Sequence, residues 1–114
     1  MANVKRLWSA LLNSIDGLKA AWRDEPAFRQ EVIPATLLIP LAVFIAPNNT
    51  AMALMISSIF VVLIAELLNT AIEATVNRIG LHRDDLAKKA KDAASAAVFV
   101  ALVNAAIVWI VVLV

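Results

Sequence analysis

Cysteine is absent from this 114-residue chain, and glycine occurs only twice. Without the first there is no disulfide scaffold, thiolate metal site or cysteine nucleophile. With so little of the second there is no glycine-rich phosphate loop. Charge is scarce as well, at 17% of residues, where an average soluble domain has about 25%. The net charge of +1 gives no basis for binding nucleic acid. What the chain has instead is apolar surface: 62% of residues are hydrophobic and the mean hydropathy is +0.84. A chain this short cannot hide so many apolar side chains from water. These proportions describe a small integral membrane protein, with 1–114 forming a single membrane domain.

The charges fall in two groups, within the first 31 residues and between Arg78 and Asp92, with only Glu66 and Glu73 standing apart. Val32–Ala65 and Ala93–Val114 carry none. The hydrocarbon core of a bilayer needs about 20 residues of helix. A first span over 26–46 meets that length, with Pro26 suited to the first helical turn. Pro34 and Pro40 are tolerated more readily in a membrane bundle than in a soluble helix. Pro47-Asn48-Asn49 is a turn signal. A second span covers 51–77, with Gly80 as its C-terminal cap, and a third covers 88–114. The fold is therefore expected to be all-α, with three transmembrane helices. All ten Lys and Arg residues lie in the N-terminal segment or in 78–91. The positive-inside rule then places both regions in the cytoplasm, and the turn at Pro47 and the C-terminus outside.

Over residues 4–23, Val4, Leu7, Trp8, Leu11, Leu12, Ile15, Leu18 and Trp22 recur at helical spacing. Such a stripe suits an amphipathic helix lying in the cytoplasmic interface. It would equally suit a helix packed on the bundle. A long amphipathic stretch of this kind is not the form of a cleaved signal peptide.

The second span carries the chemistry. Glu66, Asn69 and Glu73 are spaced i, i+3, i+7, which puts them on one helical face, with Thr70 adjoining. Ionisable residues inside a span are costly and mark function by default. At about 1.5 Å per residue, Glu66 lies roughly 22 Å in from Ala51, and Glu73 about 10 Å further, at the cytoplasmic interface. Glu25 precedes the first span at a similar depth. Two interfacial carboxylates, Glu25 and Glu73, suit a Mg²⁺ that bridges substrate phosphates. The deeper Glu66 suits a general base taking a proton from a lipid hydroxyl. Asn69 can orient its carboxylate or the substrate, the basic loop offers charge for a polyphosphate, and Asp92 offers a further carboxylate. Other readings of the same residues are ion pairing of Glu66 and Glu73 with a neighbouring helix, or a proton-coupled transporter. Ser95 and Asn104 in the third span suit interhelical hydrogen bonds.

The run Glu66-Leu-Leu-Asn69-Thr-Ala-Ile-Glu73-Ala-Thr-Val76 closely resembles the signature of the prokaryotic diacylglycerol kinase family, Glu-x-apolar-Asn-Ser/Thr-Ala-Ile-Glu-x-x-Val-Asp. Ala20-Ala-Trp22 with Glu25-Pro-Ala-Phe28-Arg29-Gln30-Glu31 looks like its N-terminal motif, and Lys91-Asp92-Ala-Ala-Ser95-Ala-Ala-Val98 like its third block. The signature ends in Asp where this chain has Asn77. The resemblance implies an inner-membrane homotrimer with active sites shared between subunits, passing the γ-phosphoryl group of ATP to the hydroxyl of diacylglycerol. It implies Glu66 as catalytic base, and Glu25 and Glu73 as holding metal and nucleotide phosphates. It further implies Arg6, Asn13, Lys91, Asp92 and the loop His82-Arg83-Asp84 as nucleotide contacts. Ala10, Ser14, Phe28, Arg29, Gln30, Glu31, Ser95 and Trp109 would line the lipid site. An undecaprenol kinase is the alternative within the family. The absence of any Walker or protein-kinase glycine loop agrees with a mechanism resting on metal and basic side chains.

Overall fold

The computed structural model describes residues 2–80 and 85–114. Four helices follow in order: α1 (Ala2–Asp24), α2 (Pro26–Ile45), α3 (Asn49–Ile79) and α4 (Asp85–Leu113). A single extended residue, Glu25 (φ −116°, ψ 100°), separates α1 from α2, and Pro26 opens α2 where its missing N–H costs nothing. Pro34 and Pro40 sit inside α2 without ending it. The Asn48 side chain caps α3 by accepting from the Ala51 amide at 2.8 Å. That cap starts α3 at Asn49, two residues before the expected span. At its other end Gly80 adopts φ 147°, a conformation that side chains disfavour. The fourth helix begins at Asp85, three residues earlier than expected, because Asp85 and Lys88 continue its first turn beyond the apolar stretch.

Helices α2, α3 and α4 are each long and apolar enough to cross a membrane. Their 20, 31 and 29 residues correspond to about 30, 46 and 43 Å of helix. A hydrocarbon core is about 30 Å thick, so α3 and α4 each project well beyond it. Glu73, Arg78, Lys88, Lys91 and Asp92 gather at one end of this pair of helices.

Helix α3 packs between α2 and α4. Its buried stripe is Met55, Ile59, Val62 and Glu66, with Ser58 beside it. Against this stripe α2 sets Phe28, Ala35 and Ala42, seven residues apart, and α4 sets Ala94 and Ala101. The alanines among these positions let the backbones approach closely, which is how helices hold together where water cannot drive them. The outward faces are apolar and uncovered: Leu37, Phe44 (84% exposed), Phe99 and Ile110 all face away from the protein. Only 11% of the most apolar part of α4 is buried. Patches of this size need lipid or further protein against them.

Helix α1 stands apart. Val4, Leu7, Trp8, Leu11, Leu12, Ile15, Leu18 and Trp22 are all exposed, and among the described residues of α1 only Ala21, near its end, is buried. Its stripe is thus uncovered by the bundle rather than packed on it. The radius of gyration is accordingly 16.9 Å, against about 13 Å for a globular chain of this length.

Candidate functional site

The buried stripe of α3 runs straight into the chemistry. Met55, Ile59, Val62 and Glu66 advance by alternating steps of four and three, and Asn69 and Glu73 continue the same progression. The face that packs α3 into the bundle is therefore the face that bears the acids. Glu66 itself is only 4% exposed. Opposite it on α2, Glu31 lies within hydrogen-bonding reach, and Glu25 and Glu73 are close enough to act on Glu66 electrostatically. Asn69 donates through Nδ2 to Glu73 Oε1 at 3.2 Å and also lies within reach of Glu66. Its amide carries two N–H groups, so it can tie the two carboxylates together.

Four carboxyl groups share this region, yet among the described residues no ion pair reaches them. Among the described residues the salt bridges are Arg23–Asp24 and Lys88–Asp92, both at exposed positions. Pairing of Glu66 and Glu73 with a neighbouring helix of the same chain, one expectation from sequence, is thus not found among the described residues. Nor is hydrogen bonding complete. Glu31 Oε2, Asn69 Oδ1 and Thr70 Oγ1 are buried without a partner, and among the described residues they are the three such side-chain atoms. Unpaired buried polar groups are expensive, so three of them around one buried carboxylate make this cluster the candidate site. No cluster of three acids converges into a ready-made metal cage among the described residues. Mg²⁺ needs none, since it binds through one or two carboxylates plus substrate phosphates. An uncompensated acidic donor set fits that ion.

Two cavities flank the cluster. A cleft of about 670 Å³ between α1 and α3 is lined by Ser14, Gly17, Ala21, Glu25, Thr70 and Ala74. A smaller one of about 220 Å³ between α2, α3 and α4 has Gln30, Glu31, Ile59 and Leu102 in its walls. The larger is within the usual size of a small-molecule site.

The remaining expected residues are dispersed. Arg6, Ala10 and Asn13 lie on exposed α1, where Ser14 Oγ donates back to the Ala10 carbonyl at 2.8 Å. Phe28 is buried. Arg29 donates to the carbonyls of Trp22 and Arg23, closing the C-terminal end of α1. Beside it, Arg23 hydrogen-bonds Asp24 and holds that carboxyl below the usual carboxylate range. Gln30 and Ser95 are exposed. Lys91 meets Asn77, and Asp92 meets Lys88. Trp109 donates through Nε1 to the Met55 carbonyl and to Ser58 Oγ, both at 3.2 Å. That places it about 12 Å along α3 from Glu66, judged from Ser58 and a rise of 1.5 Å per residue. His82, Arg83 and Asp84 lie outside the described residues. Sequence reasoning missed the facing of Glu31 and Glu66, and the Trp109–Ser58 contact. Ser58 does carry a signal, a polar residue two turns before Glu66 on nearly the same face.

A buried, acid-rich cluster beside a cleft, at the charged end of three membrane-length helices, is the candidate site of a small polytopic membrane protein. The family model for prokaryotic diacylglycerol kinase matches residues 12–113. The chain is 48% identical to a diacylglycerol kinase of Haemophilus influenzae over 84% of its length and 81% of the relative's. It is 47% identical to one from Pseudomonas aeruginosa (93% and 86% covered) and 43% identical to one from Escherichia coli K12 (95% and 88%). The chain belongs to the prokaryotic diacylglycerol kinase family, and it is a kinase.

Proposed function

We propose that the enzyme transfers the γ-phosphoryl group of ATP to the free hydroxyl of diacylglycerol at the Glu66 cluster. The observation that carries this reading is the set of buried, unpartnered polar atoms of Glu31, Asn69 and Thr70 around Glu66. Glu66 accepts the hydroxyl proton as the acceptor oxygen bonds to the γ-phosphorus and the bond to ADP breaks, giving phosphatidic acid. Asn69 holds the carboxylates of Glu66 and Glu73 in register. Glu25 and Glu73 would hold Mg²⁺, which neutralises phosphate charge when bound. Lys91, Asp92, Arg6, Asn13 and His82-Arg83-Asp84 are the nucleotide contacts. Ala10, Ser14, Phe28, Arg29, Gln30, Glu31, Ser95 and Trp109 line the site of the lipid substrate in the assembled enzyme.

The assembly is a homotrimer with each site completed by a neighbour. Ser95 and Asn104 support that reading, because both are exposed on the apolar α4 of a single protomer. The N-terminus and the 78–91 segment face the cytoplasm across a bacterial inner membrane, with α1 lying in the interface. The lysines and arginines concentrated at those ends support this orientation. An uncompensated group of four carboxyls beside basic helix ends suits a metal-nucleotide complex better than a proton carrier. Purified protein with labelled ATP, offered diacylglycerol and undecaprenol in parallel, tests the proposal. Label should pass to diacylglycerol, and transfer to neither acceptor would overturn a kinase site here.

A further inference from the structure

At the charged ends of α3 and α4 two lysines one turn apart are held in different ways. Lys88 Nζ lies 2.6 Å from the Asp92 carboxylate, a pair whose charges cancel. Lys91 Nζ instead donates to Asn77 Oδ1 at 3.1 Å, joining α4 to the last turns of α3. An ammonium can only donate, so the amide oxygen of Asn77 must be the atom that faces it. The amide fixes where the ammonium sits and leaves its positive charge intact. Lys91 is also half-buried, whereas Lys88 is exposed.

We propose that Asn77 is a positioning residue for nucleotide binding, a neutral anchor that holds Lys91 toward the ATP phosphates without neutralising it. The inference rests on the reading of Lys91 as a nucleotide contact. The family signature has Asp here; an acid at 77 would make with Lys91 what Asp92 makes with Lys88, so the phosphates would compete with a carboxylate for an ammonium that this chain leaves uncompensated. A residue with no acceptor would free the ammonium to wander.

The test uses the full-length enzyme in lipid bilayers, with steady-state kinetics and binding of a non-hydrolysable ATP analogue. Asn77→Asp should raise KM for ATP and the analogue Kd about fivefold, the equivalent of one ion pair. Its kcat should change less than twofold, and the defect should shrink as salt rises. Asn77→Ala should raise KM by a smaller factor without that salt dependence. Lys91→Met should weaken analogue binding, and adding Asn77→Asp to it should weaken binding no further. If Lys91→Met weakens binding while Asn77→Asp does not, the positioning role is overturned and the reading of Lys91 stands. Unchanged binding in Lys91→Met overturns both. A full Asn77→Asp defect persisting in the Lys91→Met background would show direct repulsion of phosphate and overturn the role of Asn77. Asn77 is exposed near a helix end, and the Ala variant keeps the test decisive if the Asp variant folds poorly.

Discussion

The two halves of α3 put polar groups on nearly the same helical face and treat them in opposite ways. Toward its uncharged end, Ser58 is 2% exposed, donates to the Met55 carbonyl at 2.7 Å and accepts from Trp109. Both the donor and the acceptor role of this buried hydroxyl are answered from within the chain. Two turns further on, Glu66 is equally buried, but its neighbours Glu31, Asn69 and Thr70 each keep an atom unanswered. Burial alone therefore does not separate structure from chemistry in this protein, whereas completion of hydrogen bonding does. The closed half holds α3 to α4. The open half is the one proposed to take substrate.

The strongest way to break this contrast is to remove the proton acceptor from the open half. Glu66→Gln keeps the shape and a hydrogen-bonding group but cannot take the proton. Turnover should fall by about 10²–10⁴-fold, the usual share of general-base catalysis, while helicity and ATP-analogue binding persist. Retention of more than a tenth of the rate would mean that the open half is not where the proton goes.

Next in size are Glu25→Gln and Glu73→Gln, which test whether the open half is completed by a metal. Each should raise the Mg²⁺ concentration giving half-maximal rate, and the double variant should fall well short of the product of the singles, because neighbouring ligands act as a unit. At a Mg²⁺ concentration too low for Glu25→Gln to turn over, mixing its chains with Glu66→Gln chains should restore some activity if sites are shared between protomers. An unaltered Mg²⁺ dependence in both singles would move the metal elsewhere, with Asp92 the next carboxylate to examine.

Ser58→Ala probes the closed half. It removes one hydrogen bond at each side of the hydroxyl and leaves Trp109 bonded to the Met55 carbonyl, so the cost should be about 1 kcal/mol of stability. Turnover should be unchanged. A rate loss without a stability loss would erase the distinction between the halves.

The smallest effect is expected at Arg23–Asp24, a surface pair belonging to neither half. Arg23 lowers the pKa of Asp24, so any stabilisation is present above the ordinary carboxylate range and fades only as pH falls through the lowered value. Asp24→Asn should accordingly leave the thermal midpoint at pH 7 unmoved. A clear drop would mean that the pair holds the α1–α2 joint alongside Arg29.

Much of this molecule is legible from residue order. Uncharged stretches locate the spans, and Pro26, Asn48 and Gly80 mark helix ends, because transfer energy and backbone preference are local properties. The i, i+3, i+7 spacing of Glu66, Asn69 and Glu73 likewise follows from the 3.6-residue turn alone. Partners across helices are another matter. That Glu31 faces Glu66, that Lys91 rests on Asn77 and that Trp109 closes on Ser58 depend on how far each helix is rotated about its own axis against the next. Interdigitation of side chains from both helices sets that rotation, so only the tertiary structure decided which polar groups are answered and which are left open.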